Sequence, residues 1–470
     1  MSIGNLVLSL YEMEKEIFRQ VCGYGCEMLK KMLELIDGKL MLERDRTVYR
    51  HKGKKRTTLK TMMGEVEYER AIYEVKDENG VKHHVFLLDE FLGFDKIGFV
   101  SELFVEIITK ATAEMPYRKA AEAVGEMTGQ SISHTGVWNV TQAVGERLDK
   151  QEQAAAQRAK SNQSRGRKEV ELLFEEQDGI WLNLQGKDRE KLGKSTEMKV
   201  AIAYTGAKKT GKDRYNLVGK VACANFENIN KFYHRKEGVI GEEYNLDEIK
   251  IRVLNGDGAN WIKRSVNGDT VYQLDTFHRN KAITTYVSDP EVRKLLIKLL
   301  YQKEIDTLLE VIEAYSNSTE DEKERNNFIQ LLTYFKNNKD GLISYKRRGL
   351  NLPEPPADDV VYRGCGAMES NVFSIIGRRM KHRRTNWSIK GGNNLARILT
   401  LKATGKLSEN LHNIVTFILP EKFEEKIQTA LSASKIPQSV GKGYEGIKIA
   451  NVPNPPQWFK AISACHSLCD

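Results

Sequence analysis

Residues 170–179 read VELLFEEQDG, an apolar run that ends in carboxylates, and this stretch decides the fold. Because successive side chains of a strand alternate between its two faces, Glu176 and Asp178 fall on the same face as Phe174. A buried carboxylate needs a hydrogen-bond donor or a cation as its partner. Two acids aligned with a core residue therefore indicate a strand that carries a functional site. A plain Asp-Gly turn between two strands is the alternative interpretation.

Further apolar runs on the carboxyl-terminal side of this stretch predict a mixed α/β sheet. Short strands are expected at residues 170–174, 198–204, 217–222, 249–254 and 271–274. Helices are expected between the third and fourth strands and between the fourth and fifth. Three consecutive strands followed by alternating helices and strands are typical of a mixed sheet. Residues 285–350 then predict a helical insertion, because apolar residues recur there at helical spacing.

A second carboxylate follows the fourth predicted strand. Residues 249–258 read IKIRVLNGDG, so that Asp257 comes after an apolar run and lies between two glycines. In open α/β sheets, ligands bind at the carboxyl ends of the strands, and neighbouring glycines let the backbone approach a ligand closely. Asp257 is therefore the second candidate catalytic residue, with a plain turn as the alternative.

The third carboxylate begins a helix predicted over residues 368–384, after the sequence GCGAMESN at 364–371. Glu369 is expected to align with the apolar stripe of this helix. The stripe consists of Val372, Phe373, Ile376 and Met380. A carboxylate at the head of a core-facing stripe needs a cation or a hydrogen-bond network. The alternative is a simple favourable interaction with the helix dipole.

Phosphodiester chemistry would give the three acids a common purpose. Two Mg²⁺ ions about 3.5–4 Å apart can activate an attacking oxygen and stabilise a leaving oxygen. Magnesium prefers oxygen ligands, chiefly carboxylates, water and phosphates. We therefore expect Asp178, Asp257 and Glu369 to hold two Mg²⁺ ions, for which Mn²⁺ can substitute.

The charge distribution predicts a polyanionic partner. The 470 residues include 73 basic and 64 acidic ones, for a formal net charge of +9, and a protein that neutralises phosphates releases their counterions. Two basic clusters are candidates for phosphate contacts: Lys54, Lys55 and Arg56, and Arg378, Arg379, Lys381, Arg383 and Arg384. Either cluster alone could be a solvated face, but the second follows Glu369 closely, which favours a contact with the DNA backbone.

The first part of the chain predicts a DNA-binding region. Residues 1–98 indicate a long helix followed by a β module. Residues 99–165 indicate two helices around a glycine-containing turn, the outline of a helix-turn-helix, with a polar linker at 151–167. The recognition helix would present four side chains to the bases: His134, Thr135, Asn139 and Gln142. A plain helical scaffold is the alternative.

The composition favours a cytoplasmic protein. The sequence has no run of 18 apolar residues, so no membrane span is expected. The start of the chain lacks the basic region and the cleavage site of a secretory signal, and six cysteines without a dense framework fit a reducing compartment. Residues 206–212 mimic a phosphate loop but continue with Asp213 instead of Ser or Thr, so no nucleotide cofactor is expected.

These motifs, in this order and at this spacing, resemble the ISLre-type insertion-sequence transposases, which are distantly similar to the Mutator-like transposases. The resemblance extends from about residue 64 to about residue 399. It is carried by EQDG at 176–179, EMK at 197–199, NGDG at 255–258, LDTFHRNK at 274–281, MESN at 368–371 and Trp387.

The resemblance implies a ribonuclease-H-like catalytic domain over residues 166–405, followed by a tail over residues 406–470. Asp178, Asp257 and Glu369 match the Asp-Asp-Glu residues of the family, with three auxiliary residues beside them: Glu176, His278 and Asn371. His278 matches a histidine of Mutator-like relatives, whose usual partner cysteine is replaced here by Asp275. A histidine of the core is the alternative reading of this position.

The implied function is that of a Mg²⁺-dependent DNA transposase. A homodimer or larger assembly would bind the terminal inverted repeats of its own element, cut there and join the ends to target DNA. It would act in the bacterial cytoplasm, at the nucleoid. Two rivals stay open, namely a ribonuclease-H-like nuclease without strand transfer and a non-enzymatic or inactive DNA-binding protein.

Overall fold

The computed structural model describes residues 9–93, 99–268, 270–381 and 385–412. The described residues divide into two compact units, one within residues 9–93 and one within residues 99–412. The predicted boundary near residue 165 does not separate compact units, because both of its sides belong to the second one. No helix in the described part of the chain has the length and apolar character that crossing a membrane requires.

The first unit packs one long helix on a small antiparallel sheet of order β1-β2-β3. Its elements are α1 (Leu10–Glu43), β1 (Arg50–Lys60), β2 (Glu65–Lys76), β3 (Lys82–Val85) and α2 (Leu87–Leu92). Helix α1 begins with a capping box in which Ser9 and Glu12 each accept the other's backbone N–H. The core between α1, α2 and the sheet consists of Leu33, Ile36, Leu59, Val66, Tyr68 and Leu88.

The second unit begins with three helices, and a mixed sheet and its covering helices follow. Its elements up to the last strand of that sheet are α3 (Glu102–Glu114), α4 (Tyr117–Thr128), α5 (His134–Lys160), β4 (Leu172–Asn183), α6 (Gly186–Leu192), β5 (Ser195–Tyr204), β6 (Gly206–Lys209), β7 (Tyr215–Val218), β8 (Val221–Asn225), α7 (Ile229–Glu243), β9 (Ile251–Gly256), α8 (Asn260–Lys263) and β10 (Thr270–Leu274).

The rest of the second unit is helical except for one short strand. Its elements are α9 (Thr276–Tyr286), α10 (Pro290–Gln302), α11 (Ile305–Ser318), α12 (Glu322–Asn337), β11 (Val360–Val361), α13 (Met368–Val372), α14 (Arg378–Met380), α15 (Ile389–Ala403) and α16 (Leu407–His412). A π-helical turn, Phe373–Gly377, joins α13 to α14. Helices α10 to α12 lie within the predicted helical insertion, around a core that includes Leu296, Leu308, Leu331 and Phe335.

The central sheet of this unit has five strands in the order β10-β9-β4-β5-β8. Strands β4, β5 and β8 are antiparallel neighbours. Strands β9 and β10 extend the sheet in parallel on the other side of β4. The predicted mixed α/β class is therefore confirmed. The predicted strand over 217–222 is wrong as a single element, because the chain turns at Gly219 (φ +66°) and its two halves, β7 and β8, join different sheets.

Strand β4 passes through the acids instead of turning after them. Asp178 pairs with Val200 and Gly179 with Lys199 of β5, so the alternative of an Asp-Gly turn is wrong. The parallel pairing of β4 with β9, in contrast, ends where Gln177 meets Gly256. Asp178 is thus the first residue of β4 beyond the end of β9. This register leaves an opening beside Asp178 at the carboxyl ends of the parallel strands.

Helix α5 continues to Lys160, so most of the predicted linker at 151–167 is helical. The segment is polar because ion pairs replace apolar contacts on its inner face. Asp149 accepts from Arg235 of α7 at 2.7 Å, and Glu152 accepts from Arg397 of α15 at 3.0 Å. Periodicity of apolar residues alone cannot reveal such a helix, because its buried partners are arginines from distant elements.

The predicted recognition helix is the start of α5. His134 and Asn139 are exposed there, as a DNA-reading role requires. Gln142 is buried, and its Oε1 accepts a hydrogen bond from Asn394 Nδ2 at 2.8 Å. The prediction that Gln142 contacts bases is therefore wrong, since this side chain ties α5 to α15.

Candidate active site

One narrow cleft in the second unit brings the three predicted carboxylates together. Its lining includes Asp178, Asp257 and Glu369, which come from β4, from the loop after β9 and from the first turn of α13. Two residues that were not predicted as catalytic, Asp275 and Phe277, also line it. Four acids facing one small space make a strongly anionic site.

Asp178 is partly buried at this opening. The pKa of its carboxyl is raised to about 6, chiefly by burial and to a smaller extent by the negative charges of Asp257 and Asp275. A hydrogen bond from the Gly179 backbone N–H, at 2.7 Å, and the nearby His278 act in the opposite direction. The cleft therefore disfavours the ionised form of Asp178 unless a cation is present.

Asp257 is held by the loop that follows β9. Its Oδ1 accepts the backbone N–H of Ala259 at 2.9 Å. Its carbonyl oxygen accepts the hydroxyl of Tyr334 from α12 at 2.8 Å. The next residue, Gly258, has φ +93°, and a Cβ there would lie 2.7 Å from the side chain of Asn338. Only glycine fits this turn without strain, so the loop that carries Asp257 is fixed against the helical insertion.

Glu369 is exposed toward the cleft, and the predicted stripe around it is partly wrong. Phe373, which was expected on the buried stripe, is 53% exposed. The buried side of this helical segment consists of Met368, Val372, Ile375, Ile376 and Met380. Phe373 is four residues after the exposed Glu369 and therefore lies on the same face of the helical segment as that residue.

The auxiliary residue Glu176 lies beneath the cleft instead of lining it. Its carboxylate is fully buried, and burial raises its pKa. Five groups donate to it: Tyr204 Oη at 2.6 Å, Asn255 Nδ2 at 3.1 Å, and the backbone N–H groups of Gly366 at 2.8 Å, Ala367 at 3.2 Å and Met368 at 3.3 Å. Glu176 therefore connects the central strand to the segment that begins the Glu369 helix.

A buried polar network continues from Glu176 to the fourth acid. Asn255 Nδ2 also donates to Asp275 Oδ2 at 2.8 Å, and Gln273 Nε2 donates to Asn255 Oδ1 at 3.0 Å. Asp275 follows β10, as Asp257 follows the adjacent parallel strand β9. Its other carboxylate oxygen caps α9 by accepting the N–H groups of Phe277 and His278. The sequence signal for Asp275 is its position after an apolar strand, the same signal that identified Asp257.

The other two auxiliary residues face different spaces. His278 lines the cleft, so the alternative of an enclosed core histidine is wrong. Asn371 is buried on the same helical segment as Glu369, but it does not line the cleft. Its Nδ2 donates to the carbonyl of Ala367 at 2.8 Å, and its Oδ1 accepts from Lys220 Nζ at 3.1 Å.

The predicted phosphate-contacting residues divide into exposed and buried ones. Arg378 and Lys381 are exposed beyond the π-helical turn. Arg379 is buried, and its Nε donates to the carbonyl of Thr112 at 2.8 Å, so it does not share the exposed surface of Arg378 and Lys381. Arg383 and Arg384 lie outside the described residues.

In the first unit, the predicted basic cluster lies on β1. Lys54, Lys55 and Arg56 are all exposed there, and Arg56 forms an ion pair with Glu67 of the neighbouring strand β2. Neither of the two lysines takes part in the ion pair between Arg56 and Glu67.

The donor chemistry of the cleft fits Mg²⁺, but a coordination sphere is not preformed. Carboxylate oxygens are the ligands that Mg²⁺ prefers, and a cation would relieve the repulsion that raises the pKa of Asp178. Across the described ranges, no three His, Cys, Asp or Glu side chains are close enough together to hold a metal ion. Binding of an ion would therefore have to draw the carboxylates together.

The raised pKa of Asp178 predicts that Asp178→Asn makes the protein more stable at neutral pH. Because the pKa of Asp178 is raised from 3.8 to about 6 in the folded protein, ionising it at pH 7.5 costs about 2–3 kcal/mol of stability. We expect Asp178→Asn to have the higher melting temperature at pH 7.5 without divalent ions. The advantage should shrink as the pH falls through 6 toward 4, where the wild-type carboxyl is protonated.

Differential scanning fluorimetry over this pH range, with and without Mg²⁺, would measure the melting temperatures of the two proteins. Mg²⁺ should raise the melting temperature of the wild type more than that of Asp178→Asn, because the variant has lost one of the carboxylates that would bind the ion. Asp213→Asn, at an exposed acid between β6 and β7, is the matched control and should show neither effect. A stability difference between Asp178→Asn and wild type that does not vary with pH would contradict the argument.

The comparisons with known proteins identify a family. The model of the Uncharacterised protein family (UPF0236) matches residues 4–413. A UPF0236 protein in the vanSb 3′ region of Streptococcus gallolyticus is 24% identical over 423 residues, which cover 87% of this chain and 86% of that protein. A UPF0236 protein of Caldanaerobacter subterraneus subsp. tengcongensis is 23% identical over 410 residues, with coverages of 86% and 79%. A second protein of that organism, 22% identical over 410 residues with the same coverages, has a name that joins eleven locus designations.

Proposed function

We propose that this chain, which belongs to the uncharacterised protein family UPF0236, is a metal-dependent DNA transposase. It would cut the ends of its own element and join them to target DNA. The observation that carries the proposal is the meeting of Asp178, Asp257 and Glu369 in one cleft, although they are far apart in the chain. Acids that converge in this way are suited to phosphodiester chemistry with divalent metal ions.

The form of the sheet supports a ribonuclease-H-like catalytic domain. An antiparallel series, β4-β5-β8, is extended at β4 by two parallel strands. The first two acids come from the adjacent parallel strands β4 and β9, at the edge where ligands of open α/β sheets bind. The third acid comes from a helix that reaches this edge after a helical insertion. The proposal therefore assigns one catalytic carboxylate to each of three elements.

Asp178, Asp257 and Glu369 are the side chains that would hold two Mg²⁺ ions. When bound, the ions would activate the attacking oxygen and stabilise the leaving oxygen of the phosphodiester. Glu176 holds the backbone that begins the Glu369 helix. His278 lines the same cleft as Asp178 and would face the substrate there.

The remaining parts of the chain would hold the DNA. Arg378 and Lys381 are exposed beyond the catalytic carboxylate and would contact the phosphates near the cut. Lys54 and Lys55 on β1, and His134 and Asn139 at the start of α5, would contact the terminal inverted repeats. The partner is DNA, and the protein would act as a homodimer or larger assembly at the nucleoid.

The relatives supply an independent argument for a mobile element. One of them, in Caldanaerobacter, is named after eleven loci of a single genome. A transposase copied together with its element produces such multiplicity, whereas an ordinary enzyme or regulator does not require it. This chain shares that relative's family and most of its length.

The function can be tested with the purified protein and labelled DNA that carries the ends of the element, in the presence of Mg²⁺. We expect cleavage at the ends and joined products from the wild type and from Asp213→Asn, and neither from Asp257→Asn. Cleavage without joined products would point to a nuclease. Specific binding without cleavage by any of these proteins would refute the enzymatic proposal and leave a DNA-binding protein.

A further inference from the structure

A second cavity, of about 240 Å³, lies behind the catalytic helical segment. Four basic side chains and one acidic side chain line it: Lys220, Arg378, Arg379, Lys402 and Glu114. They come from the turn between β7 and β8, from α14, and from the ends of α15 and α3. The rest of its lining is small or aliphatic, namely Ala113, Ser374, Ile375, Leu399 and Ala403. The cavity is therefore strongly cationic.

The acidic partners of these side chains do not neutralise all of the positive charge in the cavity. Lys402 forms an ion pair with Glu114. Arg379 is held in place, since it donates to Thr112 and lies over the rings of Tyr117 and Trp387. Lys220 Nζ donates to the neutral amide of Asn371 at 3.1 Å. Within the described ranges, neither Lys220 nor Arg378 forms an ion pair with an acid.

Cations that share a cavity repel each other, and a bound anion would relieve this repulsion. Lysine and arginine together recognise phosphate well, because a guanidinium can donate two parallel hydrogen bonds and an ammonium provides a compact charge. No aromatic side chain occurs among the described lining residues, so nothing there is suited to stack on a nucleotide base. The chemistry thus favours a phosphate group over a whole nucleotide.

We infer that this cavity binds a backbone phosphate of the DNA, a few nucleotides away from the cut. This inference rests on the proposed function. Arg378 is nine residues after Glu369 on the same helical segment. The phosphate in the cavity would therefore belong to the stretch of DNA that also carries the scissile phosphate. The hydrogen bond between Lys220 and Asn371 links the cavity to the segment that carries Glu369.

Binding to labelled duplex DNA of the element's end, with EDTA to prevent cleavage, tests the inference. The double variant Lys220→Gln/Arg378→Gln should bind roughly tenfold more weakly than the wild type, with a shallower dependence of affinity on salt. The matched control is Lys298→Gln/Lys323→Gln, which removes the same charge from exposed positions on α10 and α12. This control should bind like the wild type.

Uncharged methylphosphonate links, placed one at a time along the strand, locate the phosphate. A link at one position a few nucleotides from the cut should weaken binding by the wild type and have no further effect on the double variant. Equal affinities of the double variant and its charge-matched control would overturn the inference. So would a wild type that is insensitive to methylphosphonate at every position.

An experiment with inorganic phosphate distinguishes a site for DNA phosphates from a site for free phosphate. If no protein binds DNA while phosphate raises the melting temperature of the wild type but not of the double variant, the cavity is a site for free phosphate and the DNA inference is wrong. A wild type that binds DNA through Lys220 and Arg378 but never cuts it would keep this inference and refute the transposase. The two proposals therefore fail in distinguishable ways.

Discussion

Replacing Glu369 by Gln is expected to lower DNA cleavage by about 10³-fold without a measurable loss of stability. A metal-binding carboxylate contributes several kcal/mol to the transition state, and about 4 kcal/mol corresponds to this factor. Glu369 is exposed at the start of α13, so its replacement leaves no buried group without a partner. Single-turnover cleavage of end DNA in Mg²⁺, together with thermal unfolding, measures both effects.

The matched control for this change is Glu310→Gln, at an exposed acid of α11 far along the chain from the cleft residues. It makes the same chemical change and should leave cleavage intact. A Glu369→Gln protein that cleaves at the wild-type rate would remove this carboxylate from the mechanism. The site would then have to use Asp275 as its third acid, since that carboxylate also lines the cleft.

Much of the fold could be predicted because strands β4, β5, β9 and β10 each contain a clear apolar run. Errors occurred where long-range partners replace apolar contacts. The full length of helix α5 cannot be predicted from the sequence, because its inner face pairs Asp149 and Glu152 with arginines of α7 and α15. The strand expected at 217–222 was split because its two halves pair with different neighbours.

The three principal acids could be identified because each stands directly beside an apolar element. Asp275 shows the same pattern after β10, and only its role as a replaced cysteine kept it from being predicted as an acid of the site. The role of Asn255 cannot be predicted from the sequence. It depends on hydrogen bonds from its side chain to Glu176 and Asp275, which are distant from it in the chain. The burial of Arg379 cannot be predicted, because its acceptor, the carbonyl of Thr112, is distant in the sequence.

Glu176→Gln is expected to lower cleavage by about 10²-fold and the free energy of unfolding by about 2 kcal/mol. The amide would replace one acceptor oxygen by an NH₂ group in a space where five donors converge. At least one backbone N–H of residues 366–368 would then lose its acceptor, which costs about 1–3 kcal/mol. A displacement of about 1 Å at the start of α13 would carry Glu369 with it, and a misplacement of that size can cost 10²-fold in rate.

The variant Tyr204→Phe tests whether Glu176 positions the catalytic helix or only stabilises the fold. It removes one donor to Glu176 and leaves the three backbone donors that begin the Glu369 helix. We expect it to cost about 1 kcal/mol of stability while cleavage changes only a few-fold. If both variants lost cleavage only in proportion to stability, Glu176 would be a structural residue of the core. A loss of cleavage confined to Glu176→Gln would mean that this buried carboxylate sets the position of the catalytic one, because it is the group through which strand β4 holds the backbone of residues 366–368.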